Sequence, residues 1–200
     1  YKPEGWSPPE AKSPADVEVD MGPQEMLRTP QFYQLFLMFT GSGLAGLMVI
    51  YCIKLFGVDA LQASGAAEAK TAAAIADTAM AFYAIFNGLG RIIWGTVSDK
   101  IGRKTALIAM CACQGVIMLM FLKLGGSSLG LILGAIVIGF NFGGNFALFP
   151  TATSDFFGLK NLGPNYGWVF LAYAVAGIAG PQVAGFFKDA AAKSGAGVAA

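Results

Sequence analysis

GRIIWGTVSDKIGRK, residues 90–104, joins two long apolar runs through a short burst of charge. Asp99, Lys100, Arg103 and Lys104 crowd into this turn, although only 12% of the chain is charged, about half the usual share. Basic residues gathered between apolar stretches mark a place where a chain leaves a membrane and turns back into it. Arg91 is different. It stands inside the apolar run, two helical turns before Asp99, and needs its own explanation.

The 200 residues around this turn are 56% hydrophobic and contain no His. The 27 glycines are spread through apolar runs rather than gathered in turns. That distribution suits transmembrane helices packed closely through small residues. A net charge of +1 gives no bulk attraction for nucleic acid, and none is expected as a partner. Cys52, Cys111 and Cys113 all lie in apolar runs, with neither metal-ligand spacing nor a disulfide framework. They read as small core residues, and no metal or cofactor is expected. There is no nucleophile paired with a base and no phosphate loop. GLGRIIWG lacks the spacing and the preceding strand of a dinucleotide fingerprint. An enzyme is therefore not expected. The first apolar run begins after residue 30 and is too long for a signal peptide.

Residues 1–29 form a Pro-rich linker, with six of the nine prolines and six of the twelve acidic residues in residues 1–30. Such a segment has little capacity to fold alone. Pro30 suits the first position of a helix. Five apolar segments follow, at about 31–56, 72–97, 105–123, 129–150 and 164–187. Each is close to or above the roughly 20 residues that cross a bilayer as a helix. The expected fold is an all-α membrane protein, a bundle of about five transmembrane helices over residues 30–187. Residues 188–200 read as a short polar tail. Seven Lys and Arg fall on the side of the 98–104 turn and five on the other. This places the turn, the linker and the 151–163 loop in the cytoplasm. Five spans with no sixth apolar run read as part of a larger membrane protein.

Gly95, Asp99, Gly102, Arg103 and Lys104 spell G-x-x-x-D-K-x-G-R-K between two predicted membrane helices. The pattern resembles the loop signature of the major facilitator superfamily of secondary transporters. Gly95 allows a neighbouring helix to approach, and Gly102 permits a tight reversal. Asp99 can accept from the N–H groups of another helix's N-terminus. Arg103 and Lys104 can pair with Asp99 and hold the loop at an anionic surface. The resemblance implies that the cluster is a conformational latch between the two halves of a twelve-helix fold. The linker resembles the central loop between halves. The five spans are then helices 7–11, helix 12 is absent, and the N-terminal half of the transporter is a partner along with the lipid bilayer.

YKPEGWSPPEA (1–11), NGLGRIIWGTVSDKIGRK (87–104) and FPTATSDFFGLKNLGPNYGWVFLAYAVAGIAGP (149–181) are similar to the oxalate/formate antiporter branch, related to the monocarboxylate transporters. Arg91 now has a reading. Asn87, Arg91 and Gly95 share one stripe at i, i+4, i+8. Arg91 lies about 12 Å inside the turn. An arginine there is expensive against lipid and normally faces a bundle interior or an aqueous cavity. A guanidinium grips a carboxylate with two parallel hydrogen bonds. The resemblance implies that Arg91 is the helix 8 substrate ligand. Snorkelling to the interface or pairing with Asp99 is the plainer alternative.

In the dicarboxylate-exchanging members of that branch a helix 11 lysine adds a second charge. Tyr173 stands at about that place here. One fixed cation suits a monocarboxylate such as formate or lactate better than oxalate. Asn141 and Asn145, i and i+4, either line the cavity or bond a neighbouring helix. Tyr173 and Trp168 are candidates for packing on an apolar part of the substrate, with an interfacial role equally open for Trp168. Asp77, the one carboxylate inside a predicted span, is a possible coupling group for proton symport; anion exchange needs none. The expected activity is transmembrane transport of small organic anions by alternating access, in a bacterial inner membrane. A receptor or regulator on the same scaffold is the other reading.

Overall fold

The computed structural model describes residues 20–193. Most of the Pro-rich segment, residues 1–19, and the end of the tail, residues 194–200, lie outside the described residues. A short helix α1 (Pro23–Met26) precedes five long ones: α2 (Pro30–Ala63), α3 (Ala69–Ile101), α4 (Arg103–Leu124), α5 (Ser128–Phe157) and α6 (Leu162–Lys193). Each contains a stretch long and apolar enough to cross a membrane. They run antiparallel in sequence, so the α1–α2, α3–α4 and α5–α6 junctions share one end of the bundle. We call this the basic end, after the 98–104 turn.

The helices outrun the apolar segments because a started helix gains one hydrogen bond per added residue. Thr29 caps α2, its hydroxyl accepting from Phe32 N at 3.4 Å, and Pro30 takes the first position as its fixed φ favours. The fourth segment was expected to end at Pro150, yet α5 continues to Phe157. A proline in a membrane helix is tolerated where nearby hydroxyls satisfy freed carbonyls. Pro150 frees the carbonyl of Phe146, four residues back, while just beyond it Thr151 and Thr153 donate to the neighbouring Ala147 O and Phe149 O at 2.8 and 2.7 Å. The tail boundary shifts likewise: α6 runs on to Lys193 rather than ending near 187.

Two apolar clusters form the core. One, towards the far end, gathers Leu61, Ala76, Tyr83, Leu131 and Ile138. The other, towards the basic end, gathers Met26, Phe39, Met110, Phe149 and Phe157. Tyr173 packs against both, so it marks the middle of the bundle. The closest helix pair is α3 with α5. A side chain at Gly90 would strike the carbonyl of Phe140, one at Gly143 that of Asn87, and one at Gly139 that of Tyr83. Glycine at these places brings the two backbones into direct contact.

The last stretch before α2 is docked. Met21 N donates to Phe157 O at 3.0 Å, and the amides of Asn161 and Asn165 donate to Met21 O at 3.2 and 3.0 Å. Met26 is fully buried. The chain is thereby fastened to the α5–α6 turn before it enters α2.

Candidate functional site

At the basic end, Gly102 adopts φ +86° and reverses the chain from α3 into α4. The left-handed conformation favours glycine, as the sequence required. Arg103 then reaches two carboxylates: Asp99 Oδ1 at 2.6 Å and Asp155 Oδ2 at 2.9 Å. It also donates to Ser98 Oγ at 2.8 Å. Asp99 thus meets Arg103, one of its two expected partners. Lys104 is exposed. A Cβ added at Gly95 would meet Ala147 Cβ at an ordinary 3.8 Å, so no close helix approach uses this glycine among the described residues. Asp155 was not singled out from the sequence. A signal was present, because a carboxylate in the last turn of a helix opposes the macrodipole and calls for a cation.

The middle of α3 presents two exposed faces of different character. Phe82, Ile85, Leu89, Ile92 and Ile93 make an apolar arc. Asp77, Ala84 and Arg91, seven residues apart and all exposed, make a stripe whose centre lies roughly 130° round the helix from that of the arc. Charge is costly against lipid, so the apolar arc suits lipid and the charged stripe suits an aqueous or protein-lined space.

Arg91 sits over the ring of Phe146 from α5, with Cζ 4.6 Å from the centroid. A ring face attracts a guanidinium and leaves its N–H edge free. Nη2 donates to Asn87 Oδ1 at 3.2 Å, one turn back on the same helix. An amide carbonyl is neutral, and Arg91 makes no ion pair among the described residues. Tyr173 meets the same ring edge-on at 5.5 Å between centroids. Arg91 is ten residues from the end of α3, Phe146 eleven from the end of α5, and Tyr173 eleven past the start of α6. At about 1.5 Å per residue all three lie some 15–17 Å from the basic end. Three helices therefore deliver a cation, a ring and a phenol to one level. Phe146 was missed from the sequence, where a Phe in an apolar helix carries no distinguishing mark.

The other named residues fall elsewhere. Asn141 and Asn145 are 1% and 0% exposed. Their carbonyls accept from Trp94 Nε1 at 3.3 Å and Ser42 Oγ at 2.8 Å. Through their carbonyls both bond neighbouring helices, while their amide nitrogens are buried with no partner among the described residues. Trp168 is exposed near the basic end of α6. Asp77 is paired with Lys54 Nζ at 2.7 Å. A cleft of about 390 Å³ lies between α2 and α4, lined by Met38, Met48, Met118 and the buried Gln114. It has no part in the Arg91 cluster, which sits on an open wall.

Five long apolar helices, a basic turn and a charged wall on one helix define a multi-pass membrane protein. The chain matches the Major Facilitator Superfamily over residues 2–181. It belongs to that superfamily. It is similar to the oxalate:formate antiporter of Oxalobacter formigenes, with 32% identity over 165 residues. That match covers 82% of this chain and 37% of the relative. It is 32% identical over 164 residues to YhjX of Escherichia coli, named an uncharacterised MFS-type transporter, covering 81% of this chain and 38% of the relative. A shorter match, 37% over 86 residues, joins it to apicoplast pyruvate carrier 1 of Toxoplasma gondii, covering 42% of this chain and 16% of the relative. The chain thus spans under two fifths of the length of these relatives.

Proposed function

We propose that this chain forms the carboxylate-gripping wall of a transporter for small organic anions. The observation that carries the reading is Arg91, a cation deep in a membrane helix whose only described polar partner is a neutral amide. A fixed charge of this kind attracts an anion, and a guanidinium resting on a ring keeps the geometry for a bidentate grip. Phe146 and Tyr173 supply an apolar and hydroxyl surface for the rest of a short acid. At this level Arg91 is the one cation among the described residues, which favours a monocarboxylate such as formate or lactate over oxalate. The names of two relatives, an oxalate:formate antiporter and a pyruvate carrier, fall in the same chemical class.

The five spans correspond to helices 7–11 of the twelve-helix fold, with the basic end and the linker in the cytoplasm of a bacterial inner membrane. Substrate binds between the halves and is passed across by alternating access. The transport is anion exchange or proton symport; Asp77, the carboxylate that symport would use, is paired with Lys54. The test uses the full-length protein in proteoliposomes loaded with unlabelled formate, lactate or oxalate. Uptake of the labelled acid is compared for wild type, Arg91→Ala and Arg91→Lys. A monocarboxylate that exchanges in wild type and not in Arg91→Ala supports the reading. Normal exchange by a folded Arg91→Ala protein defeats it.

A further inference from the structure

The charged wall of α3 carries a second feature. Lys54 of α2 and Asp77 of α3 form an ion pair at 2.7 Å, with side chains 60% and 59% exposed. Both lie within helices that cross the membrane. They are level, Lys54 nine residues before the end of α2 and Asp77 eight after the start of α3. Asp77 is fourteen residues from Arg91 on the same stripe, about 21 Å further from the basic end. Between them the α3 surface offers Ala81, Ala84 and Gly88, all exposed and all small. A line of small exposed residues therefore joins a paired lysine near one end of α3 to an arginine without a described carboxylate at mid-depth.

We infer that Lys54 is a second anion-receiving cation, a staging site at the mouth nearest the α2–α3 turn, with Asp77 as the counter-ion that a substrate carboxylate displaces. The inference rests on the reading of the Arg91 face as the substrate wall. An exposed ion pair contributes little net stability, so exchanging one carboxylate partner for another is cheap. The ammonium is a compact charge on a flexible stem, able to leave Asp77 and follow an incoming anion. Asp77 then does two things. It keeps Lys54 neutralised when no substrate is present, and it repels a dianion more strongly than a monoanion. The station would pass short monocarboxylates inward and disfavour doubly charged acids.

The two partners should act in opposite directions, which a merely structural pair would not do. With the full-length protein in proteoliposomes and labelled formate or lactate, KM is measured at each face of the membrane. Lys54→Gln should raise the ratio of KM at the α2–α3 face to KM at the basic face by about fivefold. Asp77→Asn should lower that ratio two- to threefold, since it removes the competitor for Lys54. Lys54→Arg should restore it, and guards against loss of fold in the glutamine variant. If both single variants shift the ratio the same way, or neither shifts it while Arg91→Ala abolishes exchange, the staging site is wrong and the wall stands. If Arg91→Ala exchanges normally, the wall itself has failed.

Discussion

Arg91 and Arg103 lie twelve residues apart on consecutive helices and live in opposite electrostatic worlds. Arg103 is held by two carboxylates and a hydroxyl, from α3 and α5, at the end of the bundle. Arg91 is held by a ring and an amide, at the level where the two core clusters meet. Satisfied charge fixes elements to each other; unsatisfied charge waits for something that is not yet there. The contrast sets a fastening apart from the proposed binding group by the partners each arginine has.

Removing the waiting charge should have the largest effect on transport. Arg91→Ala should cut kcat/KM for the acid by roughly 100-fold or more, since truncating one side of a desolvated charge pair costs about 2–5 kcal/mol. Thermal stability should scarcely move, because no described carboxylate is left unpaired. Arg91→Lys should fall between, about 10-fold down, because a point charge cannot make two parallel bonds. Arg103→Gln should do the reverse, lowering the melting temperature in detergent while leaving substrate affinity within about twofold. Within that cluster Asp155→Asn should cost more than Asp99→Asn. Asp155 ties α5 to the α3–α4 turn, whereas Asp99 is one helical turn from Arg103. The smallest effect should come from Phe146→Leu, which removes the ring under Arg91 and raises KM about threefold, in keeping with a cation–π contact of some 0.5–1 kcal/mol. Melting curves and exchange kinetics on one set of variants test all of these. Equal losses of stability for Arg91→Ala and Arg103→Gln would erase the contrast.

The bundle was legible in the sequence because membrane spans are long, apolar and punctuated by charge. The Gly102 reversal, the start of α2 at Pro30 and the stripe of Asn87 with Arg91 were legible too, since each depends on local geometry. The ends were not. Apolar runs report bilayer thickness, whereas a helix stops where capping and turns stop it, as at Gly158 after α5 and Ser64 after α2. The site was readable only in its charged member. Phe146 joins Arg91 through the registry of α3 on α5, which glycines decide. Asn141 and Asn145 stayed ambiguous because a buried amide looks the same in sequence whether it faces a cavity or a neighbouring tryptophan. Lys54 with Asp77, and Arg103 with Asp155, were missed as pairs. Matching lone charges by their distance from a shared turn would have found the first.

The backbone contact of α3 with α5 has a mechanical consequence. At Gly90, Gly139 and Gly143 the two helices touch without side chains between them. Side-chain interfaces slide by changing rotamers; a backbone seam has none to change. The α2–α6 interface is looser at Gly180, where an added Cβ would meet Met48 Cγ at 3.4 Å and the backbone of Leu44 and Met48 only at 3.6 Å, ordinary contact. Arg91 and the ring beneath it are therefore carried on a single two-stranded beam. A bound acid would then keep its grip and its floor in constant register, whatever the other helices do.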